Sequence, residues 1–217
     1  MSRRPKHDPK ESEREILDAA KEFLSERPFR EMTVDAVMSR TGLKRPAFYV
    51  HFRDRHDLVL RVTDELGQEV FGMVDRWLVG TDLLNDARAA FEGLAEVYLE
   101  HGAVLSALSD AAGSDEKVDA AYSGLVQRFI DATAKRITDD QAAGRISADL
   151  DVTETARALV WMDERYLTQA LGRAPQADPK RVVDVLYNIW ISALYGPPQL
   201  PGTDSSQEPS RTARSAT

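Results

Sequence analysis

Residues 28–58 constrain this chain more than any other stretch. Thr33 stands where an N-cap hydroxyl is wanted, and Val34, Val37 and Met38 follow at i, i+3 and i+4, so the spacing predicts a short helix. Gly42 is expected to end it as a left-handed C-terminal cap. A second helix is expected from Lys44 to about Phe52, with Leu43, Phe48 and Phe52 as apolar anchors. Pro46 falls in its first turn, where a missing N–H does little harm. Helix, glycine turn, helix is the outline of a helix-turn-helix, whose second helix enters the major groove of DNA. With the anchors buried, Lys44, Arg45, Tyr49 and His51 remain as outward donors, followed by Arg53 and Arg55.

A plain helical hairpin with a solvated basic face has the same spacing. Charge separates the two readings. From Arg40 to Arg55 there are five Lys/Arg and one acid, Asp54, a balance of +4 within a chain of net charge −8. Positive charge gathered on one hairpin of an acidic protein implies a polyanionic partner. Residues 1–60 hold 13 Lys/Arg against 11 Asp/Glu, net +2; the rest holds 15 against 25, net −10. A basic head on an acidic body implies that only the head meets nucleic acid.

The run from 41 to 58, Thr-Gly-Leu-Lys-Arg-Pro-Ala-Phe-Tyr-Val-His-Phe-Arg-Asp-Arg-His-Asp-Leu, resembles the DNA-binding signature of TetR-family repressors. Glycine turn, aromatic pair, His and following Phe all fall in register. The family often has Ser or Thr at the position of Lys44, so the helix lacks a good cap, and Thr at that of Ala47, so one hydroxyl contact is missing. The resemblance implies an all-α repressor that binds a palindromic operator as a homodimer. Arg45, Pro46, Ala47 and Tyr49 would face base edges, and Thr33, Lys44, His51 and Arg55 phosphates. More weakly, Met162-Asp163-Glu164-Arg165 and Ile189-Trp190 with Leu194-Tyr195-Gly196 resemble a mycobacterial branch of the family, whose body holds long apolar ligands in a tunnel.

The chain reads as about nine helices in four regions: a disordered basic arm at 1–10, a helix-turn-helix domain at 11–57, a ligand-binding and dimerising body at 58–196, and a disordered tail at 197–217. Arg3, Arg4 and Lys6 in the arm reach DNA or serve only as a solubilising tail. The first helix runs from Glu11 to Glu26 with Ile16, Leu17, Ala20, Phe23 and Leu24 as its stripe. Asp54 is the expected cap of a long fourth helix ending at Gly80, the one continuous link between head and body. Then come a helix at 82–100, a short one at 102–112, a long one at 115–143 closed by Gly144, one capped by Thr153, and a last one from Pro179 to Leu194. No apolar run approaches the ~20 residues of a membrane helix. The absence of cysteine fits a cytoplasmic protein.

The inward faces of the body line up a candidate pocket for an apolar small molecule: Phe91, Leu94 and Tyr98, then Tyr122, Val126, Phe129 and Thr133, then Val160, Asp163 and Leu167, and Trp190. A packed core uses the same residue types. Asp163 is the discriminating residue, because it sits on an apolar stripe and an unpaired buried carboxylate is costly. It meets either a ligand or a neighbouring base such as Arg128 or Arg136. The last two helices carry apolar residues on two sides, and Met162, Tyr166, Gln169, Val182, Leu186, Ile189 and Ala193 are the expected dimer interface.

No cofactor or metal is expected, since His7, His51, His56 and His101 show no ligand spacing and no nucleophile motif or phosphate loop is present. A helical enzyme is therefore the weaker rival class. A DNA-binding protein with a solid, ligand-free body is the nearer one, and a cavity beside Asp163 separates it from a ligand-responsive repressor.

Overall fold

The structure, a computed structural model, describes residues 8–196, and every regular element among them is helical. The arm residues 1–7 and the tail 197–217 lie outside the described residues. The elements are α1 (Pro9–Glu26), a single 3-10 turn (Phe29–Glu31), α2 (Val34–Met38), α3 (Arg45–His51), α4 (Arg55–Val79), α5 (Leu83–Ala112), α6 (Glu116–Ala142), α7 (Val152–Ala170) and α8 (Pro179–Tyr195).

Aspartate starts almost every helix. Asp8, Asp54, Asp82, Asp115, Asp151 and Asp178 each accept from a backbone N–H of the first turn of α1, α4, α5, α6, α7 and α8. Each satisfies an orphan donor and places negative charge at the positive end of the helix dipole. Two boundaries shift for this reason. The first helix opens at Pro9 rather than Glu11, because Asp8 caps it. The cap of α7 is Asp151, which accepts from Glu154 N at 3.0 Å, and not Thr153.

The body has one helix fewer than expected. Gly102 does not break the chain; it lies in the middle of α5. A Cβ there would come within 2.5 Å of Gly172 Cα, so the glycine permits a close backbone crossing between α5 and the segment leaving α7. Gly42 also departs from expectation. Its φ is not positive, and its N–H docks on Glu15 Oε1 of α1 at 2.6 Å. Gly144 does take the left-handed conformation, φ +70, closing α6 as the sequence implied.

The head is a small core of Ile16, Phe23, Met32, Val37, Phe48 and Leu58, none more than 2% exposed, drawn from α1, the end of the 3-10 turn, α2, α3 and the start of α4. The 25-residue α4 leaves this core and packs on α5 and α6 in the body. Its far end is tied down by Arg136 of α6, whose Nη1 donates to Trp77 O at 2.8 Å and Gly80 O at 2.9 Å. Arg136 pairs in turn with the fully buried Asp140, which also holds Arg145 and the Tyr195 hydroxyl. Burial pushes the Asp140 carboxyl up, but hydrogen bonds from Tyr195, Arg145 and Arg136 together outweigh it and hold the group below its ordinary value.

The expected dimer surface is partly corrected. Val182 and Leu186, each 1% exposed, belong to the protomer's own core with Trp190 and Leu194, and Met162 packs half-buried against it. Tyr166, Gln169, Ile189 and Ala193 do face outward, joined by Trp161 and Val185. A helix apolar on two sides shows two stripes, and their spacing alone does not say which one faces the core.

Candidate DNA-reading face and the cavity in the body

Thr33 caps α2 by accepting from Ala36 N at 3.1 Å, as its position implied. The turn is closed by Thr41, whose hydroxyl donates to Met38 O at 2.9 Å and accepts from Leu43 N. On α3, Phe48 and Phe52 are buried, while Lys44, Arg45, Pro46 and Tyr49 are exposed and Ala47 and His51 are half-exposed. Lys44 occupies the cap position without a side-chain hydrogen bond. Val50, 73% exposed, joins this outward face and was not anticipated. Only the phase of α3 on its neighbours reveals it.

Most of the basic side chains already have partners. Arg45 pairs with Asp35 of α2 and donates to the Tyr49 hydroxyl at 3.0 Å. The Tyr49 and Asp35 hydrogen bonds hold the guanidinium firmly charged. Arg53 binds Asp57, and Arg40 binds Glu26 and Glu22. Among the described residues of this group, Lys44 and His51 make no side-chain ion pair or hydrogen bond. Arg55, expected at a phosphate, turns inward. Its Nη1 donates to Met32 O at 2.9 Å, and its guanidinium lies 4.8 Å from the centre of the Phe29 ring. The backbone carbonyls and that ring occupy the charge, so Arg55 braces the head internally.

The body is not solid. A cavity of about 110 Å³ lies among α4, α5, α6, α7 and α8. All eleven expected residues line it: Phe91, Leu94, Tyr98, Tyr122, Val126, Phe129, Thr133, Val160, Asp163, Leu167 and Trp190. The sequence reading missed the contribution of α4, which supplies Val70, Val74, Trp77 and Leu78, and it missed Glu164. Trp77 and Glu164 gave little signal, since the first reads as a helix-end aromatic and the second as one solvated acid among many.

Trp190 organises the wall, meeting Trp77 and Phe91 edge to face at 5.3 and 5.7 Å. Its Nε1 donates to Asp163 Oδ1 at 3.1 Å. Neither base expected near Asp163 is there, since Arg136 is held by Asp140 and Arg128 lies 3.7 Å from Asp64. Burial pushes the Asp163 carboxyl well above the usual carboxylate range, with the Trp190 hydrogen bond opposing. Beside it, Glu164 accepts from the Tyr122 hydroxyl at 2.7 Å and the Ser109 hydroxyl at 3.2 Å. Burial, above all, also raises the Tyr98 and Tyr122 hydroxyls above their ordinary value.

Residues 16–62 match the model of the bacterial regulatory proteins of the tetR family, and residues 87–196 match that of the C-terminal domain of the transcriptional regulator EthR. The EthR regulator of Mycobacterium tuberculosis is 30% identical over 186 residues, covering 83% of this chain and 86% of that protein. Its counterpart in Mycolicibacterium smegmatis is 29% identical over 198 residues, 90% of each chain. Among solved structures, a TetR-family transcriptional regulator from Syntrophomonas wolfei superposes with a TM-score of 0.74 at 14% identity, over 85% of this chain and 95% of that one, which concerns the fold. No helix of the described residues is long and apolar enough to cross a membrane. The head that reads as a helix-turn-helix and the cavity-bearing body thus match two parts of one kind of regulator: the chain belongs to the TetR family of bacterial transcriptional regulators, with an EthR-type C-terminal domain, and is not an enzyme.

Proposed function

We propose that the protein is a repressor that binds a palindromic operator as a homodimer and leaves it when an apolar small molecule enters the body. One observation carries this reading: α4, which begins in the head, forms a wall of the cavity through Val70, Val74, Trp77 and Leu78. A molecule that fills the cavity pushes on the same helix that sets the head. Release follows only where the occupant favours the head spacing that does not fit DNA. Exposed Trp161, Tyr166, Val185 and Ile189, each 39–45% exposed, form the face on α7 and α8 that a second copy would cover. Two copies would place their α3 helices in major grooves one turn, about 34 Å, apart.

Selection of duplexes from a random pool tests the first half. A two-fold symmetric site with half-sites one turn apart supports the reading, and enrichment of an asymmetric site or of none overturns it. Release of that duplex by apolar compounds that raise the melting temperature tests the second half.

A further inference from the structure

Two adjacent acids, Asp163 and Glu164, line a cavity that no Lys, Arg or His reaches. Glu164 takes three hydroxyls, those of Tyr122, Ser109 and Thr168, all on Oε1 at 2.7, 3.2 and 3.5 Å. Asp163 has fewer donors. Its single donor is Trp190 Nε1, on Oδ1, and Oδ2 has no hydrogen-bond partner. No fully enclosed side-chain oxygen among the described residues is left unpartnered, so Oδ2 is not sealed in, and Asp163 lines the cavity. Asp163 as a whole is only 9% exposed. A carboxylate facing an apolar void is costly until a cation or a donor meets it.

Resting on the reading that this cavity takes a small molecule, we propose that the molecule carries one basic amine, held as ammonium against Asp163 Oδ2 with its apolar part among the aromatic walls. Three observations favour an amine over a carboxylate or a neutral polar group. The ionisable groups on the cavity wall are acids and tyrosines, so a ligand anion meets only like charge. Trp77, Phe91 and Trp190 line the same cavity as the carboxyl, and aromatic rings attract cations. The chain beyond residue 60 carries net −10, which draws cations toward the body.

The proton balance is simple. Where Asp163 starts protonated, it gives its proton to solvent as the ammonium arrives, one for one. The other titratable groups on the wall are Glu164 on the same helix, Tyr98 on α5 and Tyr122 on α6; α4 and α8 contribute none. At about 110 Å³ the space as it stands admits a compact group, and longer chains require the wall to give.

The test is calorimetry and thermal shift on the full chain with hexyl-, octyl- and dodecylamine, each beside the alcohol and carboxylate of equal length. The amine is expected to bind tightest at matched length, by about tenfold or more in mildly alkaline buffer. Its advantage over the alcohol shrinks as pH falls and Asp163 takes up its proton. Asp163→Asn still accepts from Trp190 and should bring the amine down to the alcohol's affinity. An alcohol that equals the amine on the unaltered chain, or an amine preference that survives Asp163→Asn, overturns the proposal while leaving a ligand-binding cavity. If no compound of the series binds or releases DNA, the reading of the cavity as a ligand site falls with it.

Discussion

His56 Nε2, in the first turn of α4, lies 2.9 Å from Oδ2 of Asp115, the cap of α6. The same imidazole meets the Phe29 ring edge-on at 5.4 Å, and Arg55 lies over that ring. The head is thereby joined to the body by a polar contact as well as by α4. Nothing in the sequence brings residues 56 and 115 together.

This joint has a pH signature. The His56 hydrogen bond leads in holding the Asp115 carboxyl below its ordinary 3.8, with help from the N–H groups of Val118 and Lys117 and against the effect of burial. A carboxylate with a lowered folded pKa gives stability that is complete above the unfolded value and lost as pH falls through the folded one. Denaturant titrations below pH 3.8 should therefore show a smaller acid loss for Asp115→Asn than for the unaltered chain. His56→Ala should cost about 1–2 kcal/mol at neutral pH. It should also weaken the effect of a bound ligand on DNA affinity, measured by competition gel shift.

The two arginines of the head separate by their partners. Arg45→Ala should lower discrimination between operator and random duplex by about 1–3 kcal/mol, if its guanidinium leaves Asp35 for a guanine. Asp35→Ala frees that guanidinium and should tighten DNA binding. Arg55→Ala should lower stability by about 1–3 kcal/mol, through the carbonyls of Arg30 and Met32 that it satisfies. The salt dependence of DNA binding should hold steady, whereas loss of a phosphate contact would lower its slope by about one.

On α8, neighbouring residues should fail differently. Leu186→Ala empties a core position and should cost about 2–5 kcal/mol in a thermal melt. Ile189→Glu should melt close to the unaltered chain but sediment as a monomer and lose most operator affinity. An Ile189→Glu dimer at micromolar concentration would rule out this face.

The crossing at Gly102 allows a controlled comparison. Gly102→Ala drives a methyl into Gly172, backbone against backbone, and should cost about 1–3 kcal/mol or more. Gly124, in the middle of α6 with nothing within 4 Å of an added Cβ, should gain about 0.5–1 kcal/mol from the same change. Melting curves of the two variants should move in opposite directions.

The sequence by itself determined the helical class, the position of the reading hairpin and the faces that turn inward. Those depend on local rules: aspartate and threonine caps, 3.6-residue spacing, and a proline at a helix start. The same rules brought all eleven cavity residues to one place, because a regular helix carries its stripe wherever it packs. Only the tertiary structure decided which of two stripes on α8 became core, that Gly102 marks a crossing and not a break, and that Arg55 turns inward. It alone joined His56 to Asp115, and left Asp163 with a single donor while Glu164 found three. Each of these depends on residues dozens of positions apart, and helical periodicity says nothing about which elements meet or at what angle.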